Sequence, residues 1–319
     1  MLIGAHVRAR GGIHAAVDSG LAVGAEVIQT HPTSAQMWRP LRLDDDALQL
    51  YLEKYRASGL RGHYLHAVYL INLASPQEQL LRSSVASLLH YMELAALLDA
   101  DGVVFHPGSH RGAGFEAVLG QVGAAMREVI ERSPAGHARL LVENSAGAGG
   151  CLGRSFEEIA RIVEAAGSER VGVCLDTQHA FASGYDLRKR SGVGRSLDEF
   201  DRLIGADRLC LVHANDSVSG LGSNADRHAN IGEGMIGEAA FRLMLSDARM
   251  RRVPWILEVP GREKKGPDRQ QVNLLRACAG RAPLPARDGE RAQREGGRPP
   301  RDAPVRGRVS TSSRGARAS

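Results

Sequence analysis

The chain has 319 residues, which suits one large domain, and a β/α barrel of about 250 residues fits within it. Hydrophobic residues make up 43% and charged residues 24%, so a wholly disordered chain, a collagen and a coiled coil are excluded. The net charge of +5 is concentrated at one end, because residues 281–319 contain ten arginines and only four acids. The first 280 residues are close to neutral, and their charge alone gives no sign of a nucleic-acid partner.

Short apolar segments alternate with longer segments of helical periodicity along the first 280 residues. We predict eight strands, at residues 2–7, 27–31, 62–67, 102–107, 140–144, 171–177, 209–215 and 254–259. Amphipathic helices are predicted at residues 76–98, 115–130, 156–166, 238–245 and 270–278. This alternation predicts an α/β protein with a single (β/α)8 TIM barrel over residues 1–280. An open doubly wound sheet remains an alternative, because periodicity does not show that a sheet closes.

Residues 281–319 are rich in Arg, Pro and Gly and contain too few large apolar residues to offset the entropy of ordering. We predict a disordered basic tail, which would be either simply solvated or a nonspecific DNA tether. No apolar run is long enough to span a membrane, and no signal peptide is recognisable. The four cysteines form no CxxC pair, which indicates reduced thiols. We therefore expect a cytoplasmic protein with no membrane partner.

Each predicted strand ends in an imidazole or a carboxylate, at His6, His31, His66, His106, Glu143, Asp176, His213 and Glu258. The C-terminal ends of barrel strands open onto the face that carries active sites, so these side chains would converge there. Several carboxylates cannot share one site without large pKa penalties, and divalent cations remove that conflict. Imidazole and carboxylate ligands without thiolate suit zinc or manganese.

Two further clusters extend this set of candidate ligands. His179 follows Asp176 by three residues, at the start of the loop expected there, and Asp226 and His228 would project from one side of an extended segment. Nine candidates result, enough for three ions: His66, His106, Glu143, Asp176, His179, His213, Asp226, His228 and Glu258. Any single histidine is better explained as a satisfied polar group, so the prediction depends on all nine together. His6, His31 and His110 are predicted to orient ligands through hydrogen bonds.

Ordered motifs along residues 1 to about 278 resemble those of the endonuclease IV family, the family 2 of zinc-dependent apurinic/apyrimidinic endonucleases. They include Gly4-Ala5-His6-Val7, His106-Pro107-Gly108-Ser109-His110, Glu143-Asn144-Ser145-Ala146-Gly147, Val171-Gly172-Val173-Cys174-Leu175-Asp176-Thr177, Asp226-Arg227-His228 and Gly232-Glu233-Gly234. The resemblance implies a (β/α)8 barrel with three zinc ions, and the ligand types make manganese an alternative at one position. It implies a first zinc on His66, His106 and Glu143, a second on Glu143, Asp176, His213 and Glu258, and a third on His179, Asp226 and His228.

The resemblance also implies the reaction. A DNA-repair endonuclease of this family would hydrolyse the phosphodiester 5′ to an abasic site in duplex DNA, leaving a 3′-hydroxyl and a 5′-deoxyribose phosphate. We expect Glu143, Asp176 and Glu258 to hold the attacking hydroxide. Blocked 3′ ends are an additional expected substrate. We further expect a monomer that uses no nucleotide cofactor and that associates with the nucleoid through its DNA binding.

Two loops carry the residues that we expect to contact DNA. Tyr69 and Leu70, after the third strand, match the penetrating loop of the family, although in isolation such residues more often belong to a core. In the loop after the second strand Trp38 is kept, but Gln36 stands where a basic residue is common, and Arg39 is nearby. Such side chains would fill the gap that an extruded abasic nucleotide leaves in the stack.

Two other functions are consistent with a metal-lined barrel. A sugar isomerase or epimerase would place carboxylates and histidines around one metal, and it would not need His179, Asp226 or His228. A lesion-binding module would bind DNA without cutting it. Residues 232–237 match the GxGxxG pattern of dinucleotide sites, but they lie well beyond the seventh strand. We expect them to form a loop that leads into a helix.

Overall fold

Ten strands and nine α-helices occupy residues 1–285, the part of the chain that the computed structural model describes. The strands are β1 (Ile3–His6), β2 (Ile28–Thr30), β3 (His63–His66), β4 (Gly102–Phe105), β5 (Arg139–Glu143), β6 (Val171–Asp176), β7 (Leu209–Ala214), β8 (Asp216–Ser217), β9 (His228–Ala229) and β10 (Trp255–Leu257). The helices are α1 (Ala15–Val23), α2 (Asp45–Ser58), α3 (Glu78–Leu97), α4 (Phe115–Arg132), α5 (Phe156–Ala166), α6 (Thr177–Ser183), α7 (Arg190–Leu203), α8 (Glu238–Ser246) and α9 (Arg269–Cys278). Every strand and helix predicted from the sequence has its counterpart here.

All the strands except β8 and β9 form a closed parallel barrel in the order β1-β10-β7-β6-β5-β4-β3-β2. Closure depends on β1, which pairs with β10 through Ile3 and Trp255 and with β2 through Ala5 and Ile28. Strands β8 and β9 form a separate antiparallel pair. The predicted TIM barrel is confirmed, and the open doubly wound sheet is excluded.

Four helices were not identified from periodicity: α1, α2, α6 and α7. Helix α2 buries only Tyr51, so its sequence shows little amphipathic pattern. Helix α6 is seven residues long and begins where the Asp176 carboxylate accepts the backbone N–H of His179 at 2.9 Å. The expectation that His179 begins a loop is therefore wrong, because this N-cap starts a helix there. None of the helices in residues 1–285 is long and apolar enough to cross a membrane.

The barrel interior has an apolar layer directly below a polar one. The apolar layer consists of Val27, Tyr64, Val104, Leu141, Cys174, Leu211 and Ile256, all buried. Side chains two residues apart on a strand share a face, so each of these positions is followed on the same face by a second interior residue. Those residues, together with His6 of β1, form a ring at the mouth of the barrel: Gln29, His66, His106, Glu143, Asp176, His213 and Glu258.

A residue near the end of the described chain forms an ion pair with the segment that precedes β2. The Arg281 guanidinium donates to both carboxylate oxygens of Glu26, at 2.6 and 2.7 Å. Glu26 also accepts the backbone N–H of Ile3 at 3.1 Å. Arg281, the first residue of the predicted tail, therefore contacts the barrel. The rest of that prediction, for residues 286–319, lies outside the described residues.

Candidate metal centre

Glu143, at the end of β5, lies at the centre of the polar ring with only 1% of its side chain exposed. Its Oε2 is 3.1 Å from Nε2 of His66 and 3.4 Å from Nε2 of His106. Its Oε1 is 3.1 Å from Nδ1 of His213 and 3.3 Å from Nδ1 of His179. One carboxylate thus reaches four imidazoles from four different segments. Its Oε2 faces His66 and His106 and its Oε1 faces His213, as a ligand shared by two ions requires.

Candidate donor atoms in the described chain form three groups, each with its atoms within 4.8 Å of one another. The groups are His66, His106 and Glu143; Glu143, Asp176, His213 and Glu258; and Asp176, His179 and His228. The first two sets are those that the family resemblance implies. In the third, Asp176 joins the two histidines, and Asp226 Oδ1 lies 3.2 Å from Nε2 of His179 and 3.4 Å from Nε2 of His228. All nine predicted ligands therefore meet at one end of the barrel.

Two buried nitrogens indicate that the third group fits a metal ion. Nε2 of His179 and Nε2 of His228 are buried and lie 3.2 and 3.4 Å from Asp226 Oδ1, but neither makes a hydrogen bond of normal geometry to a described residue. Leaving such an atom unpaired costs roughly 1–3 kcal/mol, so an unpaired pair facing one carboxylate calls for a ligand. A divalent cation satisfies both nitrogens at once, and a donor set of imidazoles and carboxylates suits zinc.

Backbone carbonyls fix which nitrogen two of the histidines present. Nδ1 of His66 donates to the carbonyl of Ala67 at 2.8 Å, and Nδ1 of His179 donates to the carbonyl of Asn144 at 2.9 Å. Because a carbonyl can only accept, Nδ1 carries the proton in both rings and Nε2 is left to bind. Hydrogen bonds of this kind orient ligating histidines in metal sites.

The two glutamates of the ring are ionised despite their burial. Burial alone would raise the pKa of Glu143, but its interactions with the His106 and His213 imidazoles outweigh burial and hold this pKa well below its ordinary value. Burial is likewise outweighed for Glu258, whose pKa is held well below its ordinary value by His213 and by a hydrogen bond from His6. Both carboxylates are therefore anionic acceptors, as metal ligation requires.

Asn215, immediately after β7, was not identified from the sequence. Its side-chain amide donates to Asp176 Oδ2 at 2.6 Å, and its amide oxygen accepts the backbone N–H of Glu258 at 3.0 Å. It thus links two candidate ligands on different strands. An asparagine carries no signal of metal chemistry in sequence, although its place one residue after a strand of the ring could have indicated a role.

The three histidines predicted to orient ligands differ in the groups with which they form hydrogen bonds. Nδ1 of His6 lies 2.8 Å from Glu258 Oε1, so His6 contacts a candidate ligand directly. Nδ1 of His31 donates to the backbone carbonyl of His66 at 3.0 Å, and the His31 ring lies 4.8 Å from the His66 ring. His110 accepts two backbone N–H groups from its own loop and contacts no candidate ligand through these bonds. The ring position on β2 belongs to Gln29, whereas the sequence predicts His31 at the end of this strand.

The five residues predicted to contact DNA are exposed and lie on the loops that follow β2 and β3: Gln36, Trp38, Arg39, Tyr69 and Leu70. The backbone N–H of Tyr69 donates to the carbonyl of Ala35 at 3.0 Å, which joins the two loops. Tyr69 is 58% exposed, so it belongs to the surface and not to the core. A cavity of about 440 Å³ is lined by Trp38, Tyr69 and Leu70 and also by His106, His179 and Asp226. The exposed apolar side chains therefore border the candidate metal centre.

The GxGxxG segment is occupied by a side chain of the protein itself. The buried carboxylate of Asp216 accepts backbone N–H groups from Ser217, Gly232, Gly234, Ile236 and Gly237. A Cβ at residue 234 would lie 2.5 Å from this carboxylate, so the close approach needs glycine. The loop leads into α8, as predicted, and its N–H groups serve Asp216 instead of a phosphate.

Comparison with known proteins identifies the family. A family model described as a xylose isomerase-like TIM barrel matches residues 17–278. The chain is 42% identical to a probable endonuclease 4 of Oleidesulfovibrio alaskensis, over 86% of this chain and 92% of that protein. The chain belongs to the endonuclease IV family.

Other relatives agree with this membership. A probable endonuclease 4 of Geobacter sp. (strain M21) is 39% identical over 86% of this chain and 98% of that protein. The crystal structure of endonuclease IV from Thermus thermophilus has a TM-score of 0.78 at 36% identity, covering 88% of this chain and 99% of that one. The chain is thus a metal-binding nuclease of DNA repair, and the sugar-isomerase and lesion-binding alternatives are set aside.

Proposed function

We propose that the chain hydrolyses the phosphodiester on the 5′ side of an abasic site in duplex DNA, leaving a 3′-hydroxyl and a 5′-deoxyribose phosphate. The observation that carries this proposal is the convergence of three donor groups that share Glu143 and Asp176. We assign three zinc ions to these groups, with manganese as an alternative at one of them. When bound, such ions supply Lewis acidity that activates water, neutralises the phosphate and stabilises the leaving oxygen.

The nine ligand candidates divide among the ions as follows: His66, His106 and Glu143; Glu143, Asp176, His213 and Glu258; His179, Asp226 and His228, with Asp176 close to the last pair. Among the three carboxylates proposed to act in catalysis, Glu143 and Asp176 are almost fully buried. Glu258 has 11% of its side chain exposed and lines a cavity of about 520 Å³. We therefore assign Glu143 and Asp176 to holding the metal ions in position. Glu258, the most exposed of the three carboxylates, is assigned to orienting water or accepting its proton.

The surface around the centre supports a DNA substrate. Tyr69 lies between the two cavities and lines both of them. Arg8 and Lys265 line one cavity and Arg111 lines the other, so basic side chains flank the site although the body of the chain is near neutral. An abasic nucleotide lacks stacking, so its extrusion costs less than that of an intact one. Tyr69, Leu70 and Trp38, with Gln36 and Arg39, would occupy the space that it vacates.

Three further properties belong to the same proposal. Trimming of blocked 3′ ends presents the same phosphodiester chemistry to the same ions. We propose that the chain acts as a monomer, because the described residues place all nine candidate ligands in one chain. We also propose a cytoplasmic location in which DNA binding associates the chain with the nucleoid.

The proposal is tested with a labelled duplex that contains one abasic analogue. We expect a single incision immediately 5′ to the lesion, with little cutting of the matched intact duplex. A chelator strong enough to remove zinc should abolish incision, and withdrawal of magnesium should have little effect. Equal cutting of both duplexes, or a requirement for magnesium alone, would contradict the proposed substrate or the proposed metal.

A further inference from the structure

Gln29 is a fully buried amide whose two polar atoms contact two different candidate ligands. It lies in the middle of β2, at the ring position above Val27. Its Nε2 lies 2.6 Å from Glu258 Oε1, and its Oε1 lies 3.0 Å from Nε2 of His213. These contacts join β2 to β10 and β7 across the mouth of the barrel.

The chemistry of the two partners fixes the orientation of the amide. A carboxylate that ligates a metal is deprotonated and can only accept, so the Gln29 amide nitrogen, 2.6 Å from Glu258 Oε1, donates to it and the amide oxygen faces His213. An amide oxygen can only accept, so Nε2 of His213 must carry a proton. The nitrogen that His213 offers to a metal is then Nδ1, which lies 3.1 Å from Glu143 Oε1 and 3.1 Å from Glu258 Oε2.

The same contact restricts Glu258. Its Oε1 is held by Gln29 and also lies 2.8 Å from Nδ1 of His6. Its Oε2 is left to face His213 and the centre of the ring. His213 would thus bind through the ring nitrogen opposite to the one that His66 and His179 present, since their Nδ1 atoms donate to backbone carbonyls.

We propose that Gln29 is a positioning residue of the metal centre, which holds His213 in the Nε2–H tautomer and turns Glu258 Oε2 toward the ions. This inference rests on the proposed zinc-dependent function. Hydrogen-bond partners of metal ligands typically change metal affinity about 10–100-fold when they are removed. A purely structural amide would instead affect the free energy of unfolding and leave zinc affinity and tautomer unchanged.

The test compares Gln29→Met with Gln271→Met in the full-length chain. Gln271 is a matched control, because it is also a buried amide, and its oxygen accepts the backbone N–H of Ile231 away from the ring. Zinc affinity is measured by competition with a chromophoric chelator, and bound zinc by elemental analysis. We expect Gln29→Met to bind its weakest zinc about 10–100-fold less tightly than the wild type, and Gln271→Met to match the wild type.

A second measurement needs no variant at the amide itself. In zinc-loaded wild type with ¹⁵N-labelled imidazoles, the resonances of His213, assigned by their loss in His213→Gln, should show a proton on Nε2. Zinc affinity of Gln29→Met within twofold of the wild type, or a proton on Nδ1 of His213, overturns this inference alone. If Gln29→Met does not fold, the position of the proton on His213 in the wild type alone decides whether the inference holds. A wild type that binds fewer than two zinc ions overturns the proposed function and this inference together.

Discussion

Replacing Asp216 with Asn should destabilise the chain strongly, although the change is nearly isosteric. The Asp216 carboxylate is fully buried, and it accepts five backbone N–H groups from its own strand and from residues 232–237. Three of these donors approach Oδ2 most closely, and the other two approach Oδ1. Whichever way an asparagine amide turns, its NH₂ group meets at least two N–H donors that then lack an acceptor.

The magnitude follows from the number of lost bonds. A hydrogen bond to a charged acceptor contributes about 1.5–3 kcal/mol, so the loss of two gives about 3–6 kcal/mol. For a domain of this size each kcal/mol lowers Tm by about 2 °C, which predicts a fall in Tm of roughly 6–12 °C.

The assay is thermal unfolding with a zinc chelator present, so that metal binding does not contribute to the measured stability. Asp207→Asn is the control, because Asp207 is exposed and should lose less than about 0.5 kcal/mol. A loss below about 1 kcal/mol in Asp216→Asn would refute the idea that this carboxylate holds the glycine-rich loop.

Three other changes test separate parts of the molecule. Glu258→Gln should slow incision of an abasic duplex by about 10²–10⁴-fold with lesion binding retained, and near-normal turnover would rule out its role with water. Tyr69→Ala should weaken binding of the same duplex by about 1–3 kcal/mol in a gel-shift titration, with unchanged zinc content; equal affinity would remove Tyr69 from the DNA contact. Arg281→Gln should lower the free energy of unfolding at pH 7 by about 1 kcal/mol. Burial would raise the pKa of Glu26, but Arg281 and a backbone N–H outweigh burial and lower it from 4.5 to about 2. The stabilisation is thus complete above about pH 5 and is lost as pH falls toward 2, so a pH-independent difference between variant and wild type in urea titrations would contradict it.

The sequence was sufficient for the strands but not for their closure. Buried parallel strands are short continuous apolar runs, which is why all eight were recognisable. Pairing of β1 with β10 joins residues about 250 positions apart, such as Ile3 and Trp255, and no local sequence pattern predicts such a pairing. Helix α2 has one buried side chain, Tyr51, so its attachment to the barrel leaves almost no periodicity to detect.

The candidate ligands were recognisable because imidazoles and carboxylates at strand ends are chemically conspicuous. Gln29 was missed because His31, two residues later, is the more obvious metal-type side chain. Counting in steps of two from Val27 would have placed Gln29 in the ring. The contacts of Asp216 depend on a loop some 16–21 residues away folding back over it, which residue types alone do not predict.

The most direct test of the central claim is elemental analysis of the purified full-length chain, paired with incision of an abasic duplex by the same sample. Shared ligation by Glu143 and Asp176 predicts close to three zinc ions per chain, with incision lost on chelation and restored by added zinc. Full incision by a sample that holds fewer than two metal ions per chain would contradict a multinuclear zinc centre.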